Sequence, residues 1–235
     1  MALLLLLGWG GAVAWGAKRP RRRRLVRWMM ACALAASMLC QMLLLGLDGQ
    51  LTVQTGLPLH LCGLFGALSI PMLLRRAPDA LYELSALLAA PAAALTLLFP
   101  AVIASSHPTL MRLAFLQLHV LVALTPVFLW RAGKPLPTDP RRAMVLASGY
   151  LLAVAAFNRA FHTKYLFLSA APAGTPLRWL ASRGGAFYVC ALALLCMTAM
   201  RLLAGLYGRA ATSGSRWACI PSCRHRKPCT TPGRG

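Results

Sequence analysis

Seven long apolar runs occupy this chain, and its basic residues gather in alternate gaps between them. The runs read as Leu3–Ala17, Trp28–Leu47, Leu57–Leu74, Leu84–Ile103, Leu113–Trp130, Ala143–Phe161 and Ala186–Leu203. A membrane-spanning helix needs about 20 apolar residues, with roughly 17 to 25 observed. Six runs meet that length and the first is short. It lacks a basic segment before it, and its positive charge follows it instead, so an uncleaved first span is expected rather than a signal peptide. Of the 25 Lys and Arg, all but Arg112, Arg159, Lys164, Arg178 and Arg183 fall in the gaps after the first, third, fifth and seventh runs. Lys and Arg mark cytoplasmic loops. The expected fold is therefore an all-α, polytopic transmembrane bundle of about seven spans over residues 1–209, N-terminus outside and C-terminus inside.

Composition supports this class. Hydrophobic residues make up 59% of the chain and only Asp48, Asp79, Glu83 and Asp139 are acidic. Mean hydropathy is +0.64. A formal net charge of +21 would suggest nucleic acid in a water-soluble domain. Here cationic flanks fix topology and meet anionic headgroups, and no nucleic-acid partner is expected. Cys32, Cys40, Cys190 and Cys196 lie inside apolar runs as small packing residues. Cys219, Cys223, His225 and Cys229 loosely suggest a zinc knuckle but lack paired C-x-x-C spacing. The Gly-, Ser-, Pro- and Arg-rich stretch 210–235 reads as a basic, disordered cytoplasmic tail, with no metal or cofactor expected.

The unusual polar residues cluster at the outer ends of the runs. Asp48, Gln50 and Gln54 follow the second; His60 and Cys62 open the third; Arg112 starts the fifth and His119 lies within it; Asn158, Arg159 and His162 close the sixth. Counted from those boundaries at 1.5 Å per residue, Cys62 and His119 each lie about 8–9 Å below the outer surface. His60 and Cys62 point to opposite sides of a regular helix, so both face one cleft only if the turn after Pro58 is irregular. The expected constellation is Cys62, His119 and Asn158 from three helices. In it Cys62 is a nucleophile, His119 its base, and Asn158 donates to an oxyanion or orients the imidazole. The alternatives are a thiol packed like alanine and a histidine making an interhelical hydrogen bond. His60, Arg112, Arg159, His162 and Lys164 are candidates to hold a lipid headgroup. The basic residues of the loop after the sixth run equally suit interfacial anchoring beside Tyr165 and Trp179. No phosphate-binding glycine loop, GxSxG, HExxH or carboxylate pair occurs; Gly8-Trp9-Gly10-Gly11 reads as close helix packing.

The run Leu57-Pro58-Leu59-His60-Leu61-Cys62 is similar to the LPLHLC signature of YwaF-type integral membrane proteins of bacteria, to which animal transmembrane protein 164 looks distantly related. Phe115–His119, Phe157-Asn158 with Thr163–Leu168, and Pro172–Leu180 resemble further stretches in the same order, covering Arg27 to Leu203. The resemblance implies a compact helical bundle and, through the animal relative, acyl transfer between phospholipids with Cys62 and His119 as the catalytic pair. Lys164 stands where the family usually has asparagine, and Gly63 where the bacterial signature often has a polar residue. The partners implied are membrane phospholipid or lysophospholipid. The non-cytoplasmic side would be the exterior of a bacterial cell membrane or the lumen in an endoplasmic reticulum membrane. A transporter, suggested by Pro71, Pro91 and Pro126 within the runs, and a non-catalytic lipid-binding bundle are the competing classes.

Overall fold

In lipid, an apolar run must satisfy every backbone N–H and C=O within itself, and an isolated segment does so only as a helix. The computed structural model describes residues 1–16, 19–100, 102–168 and 177–218, and among these it is helical with no strand. The helices are α1 (Ala2–Gly16), α2 (Pro20–Leu47), a single turn α3 (Val53–Gly56), α4 (Leu61–Leu74), α5 (Asp79–Leu84), α6 (Ala90–Leu98), α7 (Pro108–Arg131), α8 (Arg141–Phe161), a short α9 (Leu177–Ala181) and α10 (Gly185–Ala218). Five units are long and apolar enough to cross a membrane: α2, α5 with α6, α7, α8 and α10. The shorter apolar helices α1 and α4 bring the match to all seven runs.

The helix ends differ from the expected ones for local reasons. Pro20 occupies the first turn of α2, where its missing N–H costs nothing, so the arginine run is helical rather than a loop. Asp79 opens α5 and favours the positive end of that helix, while Pro100 stops α6 near Leu98. The fourth span is thus shifted toward the N-terminus of the expected Leu84–Ile103. Between α5 and α6, Ser85–Ala89 widens into a π turn. Pro91 follows it, and its ring would press on the carbonyl of Leu87 four residues earlier; the wider turn accommodates that. At the C-terminus α10 continues to Ala218, past the expected end of the bundle at residue 209. Ala210 and Ala211 favour helix and no proline intervenes before Pro221. The cysteines and His225 of the tail lie outside the described residues.

Helix α7 is the centre of the bundle. It packs on α1, α2, α4, α6 and the π turn, and 61% of its apolar window is buried, against 17% for α8 and 11% for α10. Those last two are therefore peripheral and expose most of their surface to lipid. Gly66 of α4 lets α4 and α7 approach: a Cβ there would fall 2.7 Å from Leu118 Cδ1 and 3.4 Å from Met38 Sδ. Polar contacts tie α2 to α7 as well, with Gln41 Nε2 donating to the Ala114 carbonyl and Gln117 Nε2 to that of Ala33, each at 3.4 Å.

The loop contacts sort into two ends, in the arrangement the charge pattern requires. At the cytoplasmic end Arg23 donates to the Ala132 carbonyl at 3.1 Å, and Lys134 donates to the Ala77 carbonyl at 2.7 Å while pairing with Asp79. At the outer end Asp48 accepts from the Ser106 hydroxyl and backbone N–H, and Gln50 donates to the Ala104 carbonyl at 3.1 Å. The Ser105 and Ser106 hydroxyls hold the Asp48 carboxyl below its ordinary range, with the Ser106 N–H and nearby His107 adding to the effect.

Candidate functional site

Helix α4 is too short to span alone. Its 14 residues extend about 21 Å at 1.5 Å per residue, against a hydrocarbon core of roughly 30 Å. With Arg75 and Arg76 at the cytoplasmic surface, its first turn lies beneath the outer face. The non-helical chain Leu57–His60 then runs at membrane depth, where backbone carbonyls must find partners within the protein. They do. The Leu57 carbonyl accepts from the Leu59 N–H at 2.8 Å, and the Leu59 carbonyl accepts from the Tyr150 phenol at 2.7 Å. The His60 carbonyl accepts from the Leu64 N–H at 2.9 Å, and the preceding Val53 carbonyl accepts from the Tyr165 phenol. Gly63 allows the fold-back, because a Cβ there would sit 3.3 Å from Pro58 Cα. That gives a physical reason for glycine where the resembling signature carries a polar residue.

Cys62 is the second residue of α4, one position after the helix begins. Its thiol meets the Thr96 side chain of α6 and lies within electrostatic range of the Tyr150 phenol of α8. The Thr96 hydroxyl donates to the Ala92 carbonyl at 2.9 Å, which leaves its lone pairs facing outward from α6. A helix start leaves its first N–H groups without intrahelical acceptors. Among the described residues, those of Leu61, Cys62 and Gly63 have no acceptor, whereas that of Leu64 is bonded to His60.

His119 is buried, 5% exposed, in the middle of α7. Its Nδ1 donates to the Phe115 carbonyl one turn earlier at 2.7 Å, and the two rings lie 4.2 Å apart. That bond fixes the proton on Nδ1 and leaves Nε2 with its lone pair. No hydrogen bond joins His119 to Cys62 among the described residues. The expected depth count also needs correction at both ends. Helix α7 begins at Pro108, not Arg112, so His119 is about 16 Å along it. Helix α4 begins at Leu61, not Leu57, so Cys62 is in its first turn.

Asn158 is bound into the outer loop. Its Oδ1 accepts from the Thr163 hydroxyl at 2.8 Å and the Tyr165 N–H at 3.0 Å, and its Nδ2 donates to the Tyr165 carbonyl at 2.9 Å. These bonds end α8 at His162, which takes a left-handed conformation with φ 52°. An amide so engaged serves the loop, and no bond from it to His119 is seen among the described residues. Lys164 meets α3 through its backbone N–H, which donates to Gln54 Oε1 at 2.6 Å. The His60 ring, at the extended cap of α4, lies 5.0 Å from that of Tyr165. It is therefore not constrained by the two-residue helical offset. Arg112, Arg159, His162 and Lys164 are exposed at the outer end.

Residues 1–204 match the TMEM164 family. The chain belongs to that family. No curated protein and no solved structure is detectably similar to it. The family match covers the helical bundle through most of α10 and stops before the tail. For this TMEM164-family chain, spacing arguments missed Thr96, Tyr150 and Tyr165. The readable signal was the phenols themselves. A tyrosine within an apolar helix needs an acceptor for its hydroxyl, and an irregular segment needs donors for its carbonyls.

Proposed function

We propose that this membrane protein transfers acyl chains between phospholipids at its non-cytoplasmic face, through a thioester on Cys62. The observation that carries the reading is the seat of the thiol: the first turn of a recessed helix, with the Leu61, Cys62 and Gly63 N–H groups unengaged. A thiolate attacking an ester carbonyl forms a C–S bond while the oxygen becomes anionic, and backbone N–H groups aimed there stabilise that charge. Collapse breaks the C–O bond, releasing a lysophospholipid alkoxide. His119 Nε2 takes the thiol proton and returns it to this leaving group. In the second half the acceptor hydroxyl attacks the thioester, its proton passes to His119, and the thiol is regenerated. The exposed Arg112, Arg159 and Lys164, with His60 and His162, supply the charge and donors for a phosphate headgroup. The site would face the exterior in a bacterial cell membrane or the lumen in an endoplasmic reticulum membrane.

Catalytic hydrogen bonds are often open without substrate and tighten in the complex, so the unbonded Cys62 and His119 are compatible with this scheme. The same observation favours a second reading, a lipid-binding bundle in which both residues only pack. Lysophospholipid acylation in proteoliposomes separates the two. Wild type should transfer the acyl chain and trap it on Cys62, and Cys62→Ser and His119→Ala should both lose transfer. Equal rates in all three discard the proposal.

A further inference from the structure

Resting on the thioester reading, the arrangement around the α4 start points to a residue that sequence spacing does not single out. We propose that Tyr150 is a positioning residue for Cys62, acting through its hydrogen bond to the Leu59 carbonyl. Three observations carry it. The phenol donates to Leu59 at 2.7 Å, three residues before the nucleophile, in the non-helical stretch between α3 and α4. The ring packs with Leu59, Val154 and Tyr165 in one apolar cluster, so it is anchored on both the helix and the segment it holds. The same phenol lies within electrostatic range of the Cys62 sulfur, so the group that fixes the backbone is on the thiol's side of α4. Tyr150, Val154 and Asn158 form one stripe of α8 at four-residue spacing. From it the chain 53–60 is held twice, directly at Leu59 and through Tyr165 at Val53. Releasing the Leu59 carbonyl frees the cap of α4 and hence the rotamer and burial of the thiol. Tyr150 contributes no atom to the transferred group.

The test is Tyr150→Phe, which keeps the ring and removes the hydroxyl. Full-length protein in liposomes is alkylated with iodoacetamide, and labelling of Cys62 is measured by mass spectrometry relative to Cys196 of α10 in the same molecules. The Cys62 to Cys196 ratio should rise about fivefold, the equilibrium worth of one lost hydrogen bond. Transfer should fall through kcat with KM little changed. Tyr188→Phe removes a buried hydroxyl that has no partner, and should leave the ratio unchanged. An unchanged ratio in Tyr150→Phe overturns the proposal, and so does a parallel rise at both cysteines, which would mark general loosening. Should that variant fail to accumulate, 3-fluorotyrosine at position 150, a stronger donor of the same shape, decides the matter. It should lower the ratio, and no change overturns the assignment. Because alkylation needs no acyl transfer, an inactive wild type would refute the thioester reading while leaving this result readable.

Discussion

Asn158→Leu distinguishes a scaffold amide from a catalytic one. The substitution keeps the branching and the number of heavy atoms and removes three hydrogen bonds, two into Oδ1 and one from Nδ2. Tyr165 is fully buried and Asn158 is 8% exposed, so water does not replace them. At about 1 kcal/mol net each, the three bonds are worth about 3 kcal/mol, which is about 150-fold in the opening equilibrium of the loop. Hydrogen exchange of the Tyr165 amide in nanodiscs reads that equilibrium directly, since this N–H is one of the lost donors. Exchange should accelerate by about two orders of magnitude at Tyr165 and stay unchanged in the middle of α7.

Acyl transfer supplies the second arm. If Asn158 acts only through Tyr165 and the Val53 carbonyl, then Asn158→Leu and Tyr165→Phe disrupt one latch. The double variant should then be scarcely worse than the more damaging single one. An oxyanion donor behaves otherwise: its loss costs about 100- to 1000-fold in turnover and leaves loop exchange alone. Transfer abolished with the Tyr165 amide still protected would refute the scaffold role.

Three further outcomes follow from the packing and the charges. Gly66→Ala should destabilise the bundle by about 1–3 kcal/mol through overpacking against Leu118, with Leu118→Ala restoring part of it; an unshifted melting temperature in detergent would refute the close approach. The Asp48 clasp on Ser105 and Ser106 lowers that carboxyl, so its contribution is complete above the ordinary carboxylate range and is lost as pH falls through about 4 and below. Proteolysis at residues 102–107 should increase over that window in wild type and be pH-independent there in Asp48→Asn. Lys134→Met should cost more stability than Asp79→Asn, because Lys134 also donates to the Ala77 carbonyl while the Asp79 side chain is 68% exposed; the reverse order in denaturation midpoints would contradict this.

The spans were legible because runs of this length have one solution in lipid, and charge asymmetry supplied their direction. What the pattern hid was the late start of α4. Leu57, Leu59 and Leu61 are apolar whether helical or extended, so hydropathy carries the run unbroken across Pro58. Pro58 does bias the residue before it away from helix, but proline also suits the first turn of one, and sequence does not choose between these. Counting from the apolar boundary therefore put Cys62 inside a helix instead of at its start. The His119 to Phe115 bond was within reach, being a four-residue helical step. The partners of Asn158 were not, since Thr163 and Tyr165 reach it only because the chain turns back at His162. Tyr165 reads from sequence as an interfacial anchor and nothing in its spacing marks Tyr150, although an irregular segment at depth needs neutral donors as much as charged ones.

That requirement also explains why the two ends of the bundle are held differently. At the cytoplasmic end, charged and backbone partners lock 77–79 against 132–134 on helices packed around α7. At the outer end, the 53–60 segment that leads into Cys62 is held by a handful of hydrogen bonds from α8, a helix with only 17% of its apolar window buried, and from the loop that follows it. A contact resting on few buried apolar groups opens at lower free energy than the core does. On the proposed acyl-transfer reading a lipid passes between helices to reach a recessed sulfur, and a rigid α4 and α7 beside a weakly docked α8 would put the give on the side where it arrives. Cross-linking α8 to the 53–60 segment would then block transfer while leaving the fold intact, and a cross-link between α2 and α7 would not.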